Sequence, residues 1–133
     1  MAIIIDADVV IRGERGTFDF KRWVSSQREE RFALAAVTVA ELRHGVERAT
    51  VSHRSGRQTY LQAILDLMPV FPYTEQTAYE HARIWAALEG SGRLIGAYDL
   101  IVAATAVERN CQVATFNRRH FAGVPGLKII EPS

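Results

Sequence analysis

The stretch IIIDADVVI (residues 3–11) decides the fold: three consecutive isoleucines run into Asp6, one alanine intervenes, Asp8 follows, and apolar side chains resume. A short run that is apolar and β-branched throughout suits a central parallel strand, because both faces of such a strand are covered. AIII (2–5) is therefore read as a buried strand. Ionised carboxylates at its end are costly to desolvate unless they are hydrogen-bonded, paired or set against a cation. Asp6 and Asp8 need compensation from elsewhere in the chain.

Working outward, FALAAV (32–37), CQVAT (111–115) and LKII (127–130) read as further strands. MPVFP (68–72) carries two prolines and is an edge strand at best. Helical patterns fill the intervals at 19–28, 38–47, 54–67, 75–89 and 99–109. Leu61, Ile64, Leu65 and Met68 share one face of the third, and Ala78, Ala82, Trp85 and Leu88 one face of the fourth. DLIVAATAVER (99–109) is apolar on nearly every side, which predicts a helix buried against the sheet. Alternating strands and helices predict a three-layer α/β/α sandwich around a parallel sheet of about five strands, joined by right-handed crossovers. At 133 residues and 48% hydrophobic, residues 1–133 are expected to form a single domain with one sizeable core.

The net charge of +1 announces no polybasic tail for nucleic acid or membrane. Of the Lys and Arg residues only Lys21 and Lys128 are lysines. That arginine excess is either codon usage or a preference for the better planar donor to phosphate and carboxylate. Cys111 is the lone cysteine, so no internal disulfide or multi-cysteine zinc site is available and a reducing cytoplasm fits. The apolar runs fall short of a membrane span and no export signal is evident, so a soluble cytoplasmic protein is expected.

In a parallel α/β sheet the carboxyl ends of the strands and the amino ends of the following helices share one edge, where ligands bind. Asp6 and Asp8 follow the first strand, Glu41 lies early in the helix after the second, and Asp99 opens the buried helix. Thr115 ends a late strand and Asn117 follows it. Each carboxylate alone has a structural explanation. Thr38 and Glu41 match a capping box, Asp8 can cap a helix starting near Val9, and Asp99 can be an N-cap. Asp6 is the hardest to explain as a cap. Close carboxylates raise one another's pKa unless a cation relieves them. Several carboxylates without cysteine ligands suit a hard divalent ion such as Mg²⁺ or Mn²⁺, which can orient and polarise a phosphodiester.

His44, His53, His81 and His120 show no metal-ligand spacing; His120, after two arginines in NRRHF, either faces the crevice or, the preferred reading, is a surface histidine. Arg93, Arg118 and Arg119 either flank the acidic site and meet RNA phosphates or are ordinary solvated arginines. Trp23, Trp85, Phe71 and Tyr79 are assigned mostly to the core.

IDADVVI, TVAELRHG, YDLIVAATAV and ATFNRRHFAGVPGL, in that order and spacing, resemble the PIN-domain ribonucleases and, within them, the VapC-type toxins of bacterial toxin–antitoxin pairs. The resemblance covers essentially the whole chain. It implies a Mg²⁺- or Mn²⁺-dependent endoribonuclease that cuts tRNA, rRNA or mRNA, is inhibited by a cognate antitoxin protein, and forms a homodimer. Asp6, Glu41 and Asp99 match the family's catalytic, metal-holding acids. Asp8 and Thr115 match auxiliary positions, and Asn117 stands where many members carry a fourth acid. An amide supplies no charge there, so a second ion would bind more weakly. A homodimer seam would draw on the apolar face of helix 54–67 or 75–89. The alternative is a catalytically weak PIN-like RNA- or protein-binding module, with Asn117 in its favour. A response-regulator receiver ranks last, because TVSHRSGRQTY (50–60) offers no acceptor aspartate.

Overall fold

The computed structural model describes residues 2–28 and 30–133. Its strands are β1 (Ala2–Ile5), β2 (Arg31–Ala35), β3 (Val70–Phe71), β4 (Gln112–Ala114) and β5 (Lys128–Ile130). Its helices are α1 (Ala7–Arg15), α2 (Phe20–Ser26), α3 (Ala36–Arg48), α4 (Val51–Leu67), α5 (Glu75–Gly90), α6 (Ala97–Glu108) and α7 (Arg118–Phe121). The sheet order is β3-β2-β1-β4-β5, and every neighbouring pair is parallel. The predicted sandwich with a five-stranded parallel sheet is what is found.

Strand periodicity divides β1 between two cores. Ile3 and Ile5 face Val9, Val10, Phe20, Trp23, Ile64 and Met68, from α1, α2, α4 and its end. Ile4 faces the other way, onto a cluster with Ile84, Leu88, Val102, Ala103, Ala106 and Phe121 from α5, α6 and α7. All three isoleucines are fully buried. A strand sandwiched this way cannot tolerate polar alternation.

The order of connections matters most for the site. From β1 the chain builds outward through β2 to β3, then crosses back to place β4 and β5 on the other side of β1. The reversal falls between β1 and β4, and a crevice opens at the carboxyl ends of strands at such a point. The Asp6 backbone N–H donates to Ala114 O at 2.9 Å, so the chain leaving β1 is stitched directly to the end of β4.

MPVFP supplies only the two-residue edge strand β3, as its prolines require. The 99–109 helix is buried as expected, with Leu100, Val102, Ala103, Ala104, Thr105 and Ala106 inside. Helix α5 differs from expectation. Its buried residues are Thr77, Ile84 and Leu88, whereas Ala82 is exposed and Trp85 and Tyr79 are 51% and 58% exposed. Of the expected face 78/82/85/88, Leu88 is buried as expected, whereas 78, 82 and 85 each lie one position past the true face. Thr77 sets that face: it forms a reciprocal capping box with Thr74 and donates to Glu108 Oε2 at 3.2 Å. Among the described residues, no helix is long and apolar enough to cross a membrane.

Helix α1 lies close over its neighbours because Gly13 has no side chain, and it ends where Gly16 turns left-handed at φ 77°. A Cβ on Gly13 would stand 2.7 Å from the Tyr60 hydroxyl and 2.9 Å from Phe20 Cβ. The Phe20 Cβ is tied to backbone and cannot swing away. Gly13→Ala is therefore expected to lower stability by about 1–3 kcal/mol, despite alanine's better helix propensity. Urea melts of the two proteins measure the difference.

Candidate functional site

Asp6 sits at the reversal point, 5% exposed, between the end of β1 and the start of α1. Its Oδ1 accepts the Ala7 backbone N–H at 2.9 Å, which makes it the N-cap of α1. Its Oδ2 accepts the Thr115 hydroxyl at 2.8 Å. Thr115, fully buried, has its hydroxyl oxygen fixed in turn by the Asn117 N–H at 2.9 Å. Asp8 lies in the first turn of α1, where its Oδ2 accepts the Phe116 N–H at 3.1 Å and its Oδ1 lies 3.5 Å from the Thr115 hydroxyl. The capping roles are thus the reverse of the expected ones. Asp6 caps, because α1 begins at Ala7 and not near Val9, and Asp8 reaches across to the turn after β4.

Glu41 is not part of a capping box. Helix α3 begins at Ala36, directly after β2, with Ala35 as its N-cap and no side-chain capping bond. Thr38 and Glu41 therefore lie inside the helix rather than at its mouth. The hydroxyl of Thr38 and Oε1 of Glu41 are both buried without a hydrogen-bond partner among the described residues. A buried carboxylate oxygen left in this state is costly, which removes the bland explanation for Glu41.

Asp99 is likewise no N-cap, since Gly96 holds that position and Asp99 lies in the first turn of α6. Its Oδ2 is 3.1 Å from His120 Nδ1. His120 lies on the surface as expected, its side chain 57% exposed, yet it has a specific acidic partner. Glu41 and Asp99 together line a recess of about 340 Å³ with Gly96, Ala97 and Tyr98.

The four carboxylates act on one another electrostatically. Burial pushes the Asp6 carboxyl up to about 7, the charge of Asp8 and then that of Asp99 push the same way, and the Thr115 hydrogen bond pulls back. Burial also raises Glu41, reinforced by Asp99 and Asp8. Burial raises Asp99, opposed by the charge and hydrogen bond of His120. Asp6, Asp8, Glu41 and Asp99 are thus gathered at one sheet edge with more negative charge than the protein neutralises.

That arrangement fits a hard divalent cation in its donor chemistry: oxygen ligands only, one of them a buried orphan, and a charge excess that a cation relieves. Among the described residues no three His, Cys, Asp or Glu side chains stand, as placed, in an arrangement that could hold a metal ion. The fit therefore rests on unmet charge and the unanswered Glu41 oxygen.

The other predicted residues are placed less centrally. Asn117 is half-buried before α7, and its side chain makes no capping bond. Arg118 and Arg119 are exposed on α7, and Arg93 lies across Gly123, where an added Cβ would meet its Cδ at 3.0 Å. None of the three forms an ion pair with the acids among the described contacts. Two further residues stand at the margin, the first weighed for the crevice in the sequence and the second unnoticed there. One is His120 as the partner of Asp99. The other is Arg12, whose guanidinium lies 4.3 Å from the centroid of the Phe116 ring. The only sequence signal for Arg12 was its place four residues after Asp8.

A family model described as PIN domain matches residues 3–127. Among curated proteins, the chain is similar to ribonuclease VapC of Rickettsia bellii, 28% identical over 98% of this chain and 96% of that one. It is also similar to ribonuclease VapC5 of Mycobacterium tuberculosis, 33% identical over 96% and 91%, and to the tRNA(fMet)-specific endonuclease VapC of Salmonella typhimurium, 29% identical over 74% of each. Among solved structures, VapBC2 from Rickettsia felis bound to a DNA fragment from their promoter matches with a TM-score of 0.90 over 100% of both chains. Its 19% identity speaks for the fold alone. FitAcB from Neisseria gonorrhoeae matches with a TM-score of 0.82 at 28% identity, over 96% of each chain.

The raised Asp6 carboxyl has a signed consequence for stability. The group titrates at about 7 in the folded state against 3.8 as a free side chain. Well below 3.8 both states hold the proton and nothing is lost. As pH rises between the two values the unfolded chain ionises more readily, so stability falls, and it stays low above about 7. Asp6→Asn removes this loss. With EDTA present, the variant is expected to be more stable than the parent near pH 8, by on the order of 1–3 kcal/mol, with the gap closing towards about pH 4. Melting temperatures across that pH range measure it, and an equal gap at both ends would contradict the assignment.

Proposed function

We propose, for a chain that belongs to the PIN domain family, that it is a VapC-type endoribonuclease toxin, hydrolysing RNA phosphodiester bonds and held inactive by a cognate antitoxin protein. The observation that carries the proposal is the buried Glu41 oxygen with no partner, beside carboxylates that repel it. The named ribonucleases among its relatives support the reaction, and likeness to VapBC-5 of Mycobacterium tuberculosis, a toxin-antitoxin structure 29% identical over 98% of each chain with a TM-score of 0.77, supports the antitoxin. A tRNA, as in the name of the Salmonella relative, is one candidate substrate beside rRNA and mRNA. The protein then works in the cytoplasm, as one domain over residues 1–133 and as a homodimer.

In this reading Asp6, Glu41 and Asp99 are the catalytic residues and hold Mg²⁺ or Mn²⁺. When bound, such an ion polarises a phosphodiester and makes water more acidic. The protein's own residues do the remaining work. Thr115 donates to Asp6 Oδ2 and so orients that carboxylate through a buried hydrogen bond. Asp8, anchored by the Phe116 N–H, adds negative charge next to it without taking its place. His120 restrains the Asp99 carboxylate from one side. Arg93, Arg118 and Arg119, all exposed, are the arginines this reading assigns to the phosphate backbone.

Asn117 favours a second reading, an RNA- or protein-binding module without turnover, because its amide brings no charge to hold a second ion. Titration with Mn²⁺ separates the two. The nuclease releases cleaved RNA as the ion is added, whereas the module binds RNA and releases no product at any concentration.

Asp6→Asn is expected to lower cleavage by at least about 100-fold while leaving the fold intact, and EDTA to do the same to the parent protein. Mg²⁺ should also raise the parent's melting temperature, an effect the variant largely loses. A folded Asp6→Asn protein that cut RNA at the parent rate would falsify the assignment. Co-expression with the product of a short reading frame upstream of the gene is expected to suppress the RNA cleavage and to co-purify with the protein.

A further inference from the structure

Arg12 lies one helical turn after Asp8, the spacing at which an aspartate and an arginine on a helix pair. They do not pair here. Asp8 turns to the Phe116 N–H, and Arg12 lies over the ring of the same phenylalanine, 4.3 Å from its centroid. Phe116 therefore divides an acid from its natural partner, holding the acid with its backbone and the base with its ring. The ring is itself braced edge-on by Phe18, centroids 5.1 Å apart, and it directly follows Thr115, which donates to Asp6. The position of Arg12 is thus tied through two residues to the acidic cluster.

The comparison with Arg109 is instructive. Arg109 also covers a phenylalanine, Phe71, at 4.2 Å, but its charge is answered by Glu108 at 3.7 Å. Arg12 is exposed and has no carboxylate partner among the described contacts. The favourable end of the α1 dipole explains a cation in the last turn, where Arg15 also lies, but not its removal from Asp8 onto a ring. A guanidinium laid flat on an aromatic keeps its N–H edge free and loses little freedom on binding an anion.

We propose that Arg12, held on Phe116 beside the acidic cluster, binds a backbone phosphate of the RNA flanking the one to be cut. The inference rests on the nuclease reading for its ligand but concerns a residue outside the acidic set. Phe116 then works as a positioning residue for both charges: it keeps Asp8 available to the cation site and Arg12 available to the nucleic acid.

The test is binding without cleavage. Fluorescence anisotropy with bulk bacterial tRNA and with a labelled single-stranded RNA of mixed sequence, in EDTA and in Ca²⁺, is followed across a salt series for the parent, Arg12→Gln and Arg12→Lys. For Arg12→Gln the expected result is a roughly three- to tenfold weaker Kd near about 0.1 M salt and a salt slope shallower by about 0.7, the loss of one phosphate contact. Arg12→Lys should keep the slope and recover part of the affinity, since it restores the charge but not the flat fork. An Arg12→Gln protein with the parent's Kd and slope overturns the role of Arg12 and leaves the nuclease reading standing. Weaker binding at an unchanged slope also overturns it, because it marks a packing effect. A parent that binds neither RNA overturns the RNA reading and the role of Arg12 with it.

Discussion

Mutual repulsion among carboxylates, accepted at one end of a buried strand, is the constraint on which the rest of this structure depends. Asp6 cannot retreat to solvent, because the strand before it is covered on both faces and the chain after it turns at once into α1. The protein meets this with three fixed donors, the Ala7 and Phe116 amides and the Thr115 hydroxyl, shared between Asp6 and Asp8. These hold the two side chains in place without neutralising them, and burial first, with repulsion from neighbouring acids behind it, displaces Asp6, Glu41 and Asp99 towards protonation. A fold that tolerates such a cluster spends stability on it, and this pattern belongs to functional sites.

The sheet order converts that local strain into a site. With β1 central and β4 brought back beside it, the exits of β1, β2 and β4 and the amino ends of α1, α3 and α6 share one edge. Residues separated by most of the chain thereby come within electrostatic reach. The opposite edge has its own polar contacts, such as Thr77 with Glu108, but there each group finds a partner and the interaction closes on itself.

Much of this was legible in the sequence because the signals were local and redundant. A continuous apolar strand, a Pro-bounded edge and an all-apolar helix each follow from the residues within them, and the carboxylate positions follow once strand ends are known. What was not legible depended on register or on contacts between distant elements. A shift of two residues or more in where α1 and α3 begin exchanges Asp6 with Asp8 as the cap and moves Glu41 from a capping box to an unsatisfied interior position. The buried face of α5 is set by Thr77, a polar residue that hydrophobic periodicity overlooks, and Trp85 turns outward as a result. The His120–Asp99 and Arg12–Phe116 contacts join residues 21 and 104 positions apart, beyond any window that a periodicity reads. Whether Asn117 weakens a second ion turns on charge alone, and its surroundings add no side-chain bond that would argue otherwise.

The hydrogen bond between Asp6 and Thr115 spans 109 positions of the chain. During synthesis the first carboxylate of the cluster emerges 109 residues before its hydroxyl partner. An unfinished chain holds Asp6 without β4, without the Phe116 amide for Asp8 and without His120 against Asp99. The cluster is thus completed only once β4 and α7 have been made, and a translation product that stops before them carries the acidic sequence without the arrangement that gives it meaning. The sheet order itself thus delays assembly of the acidic cluster until β4 has paired with β1.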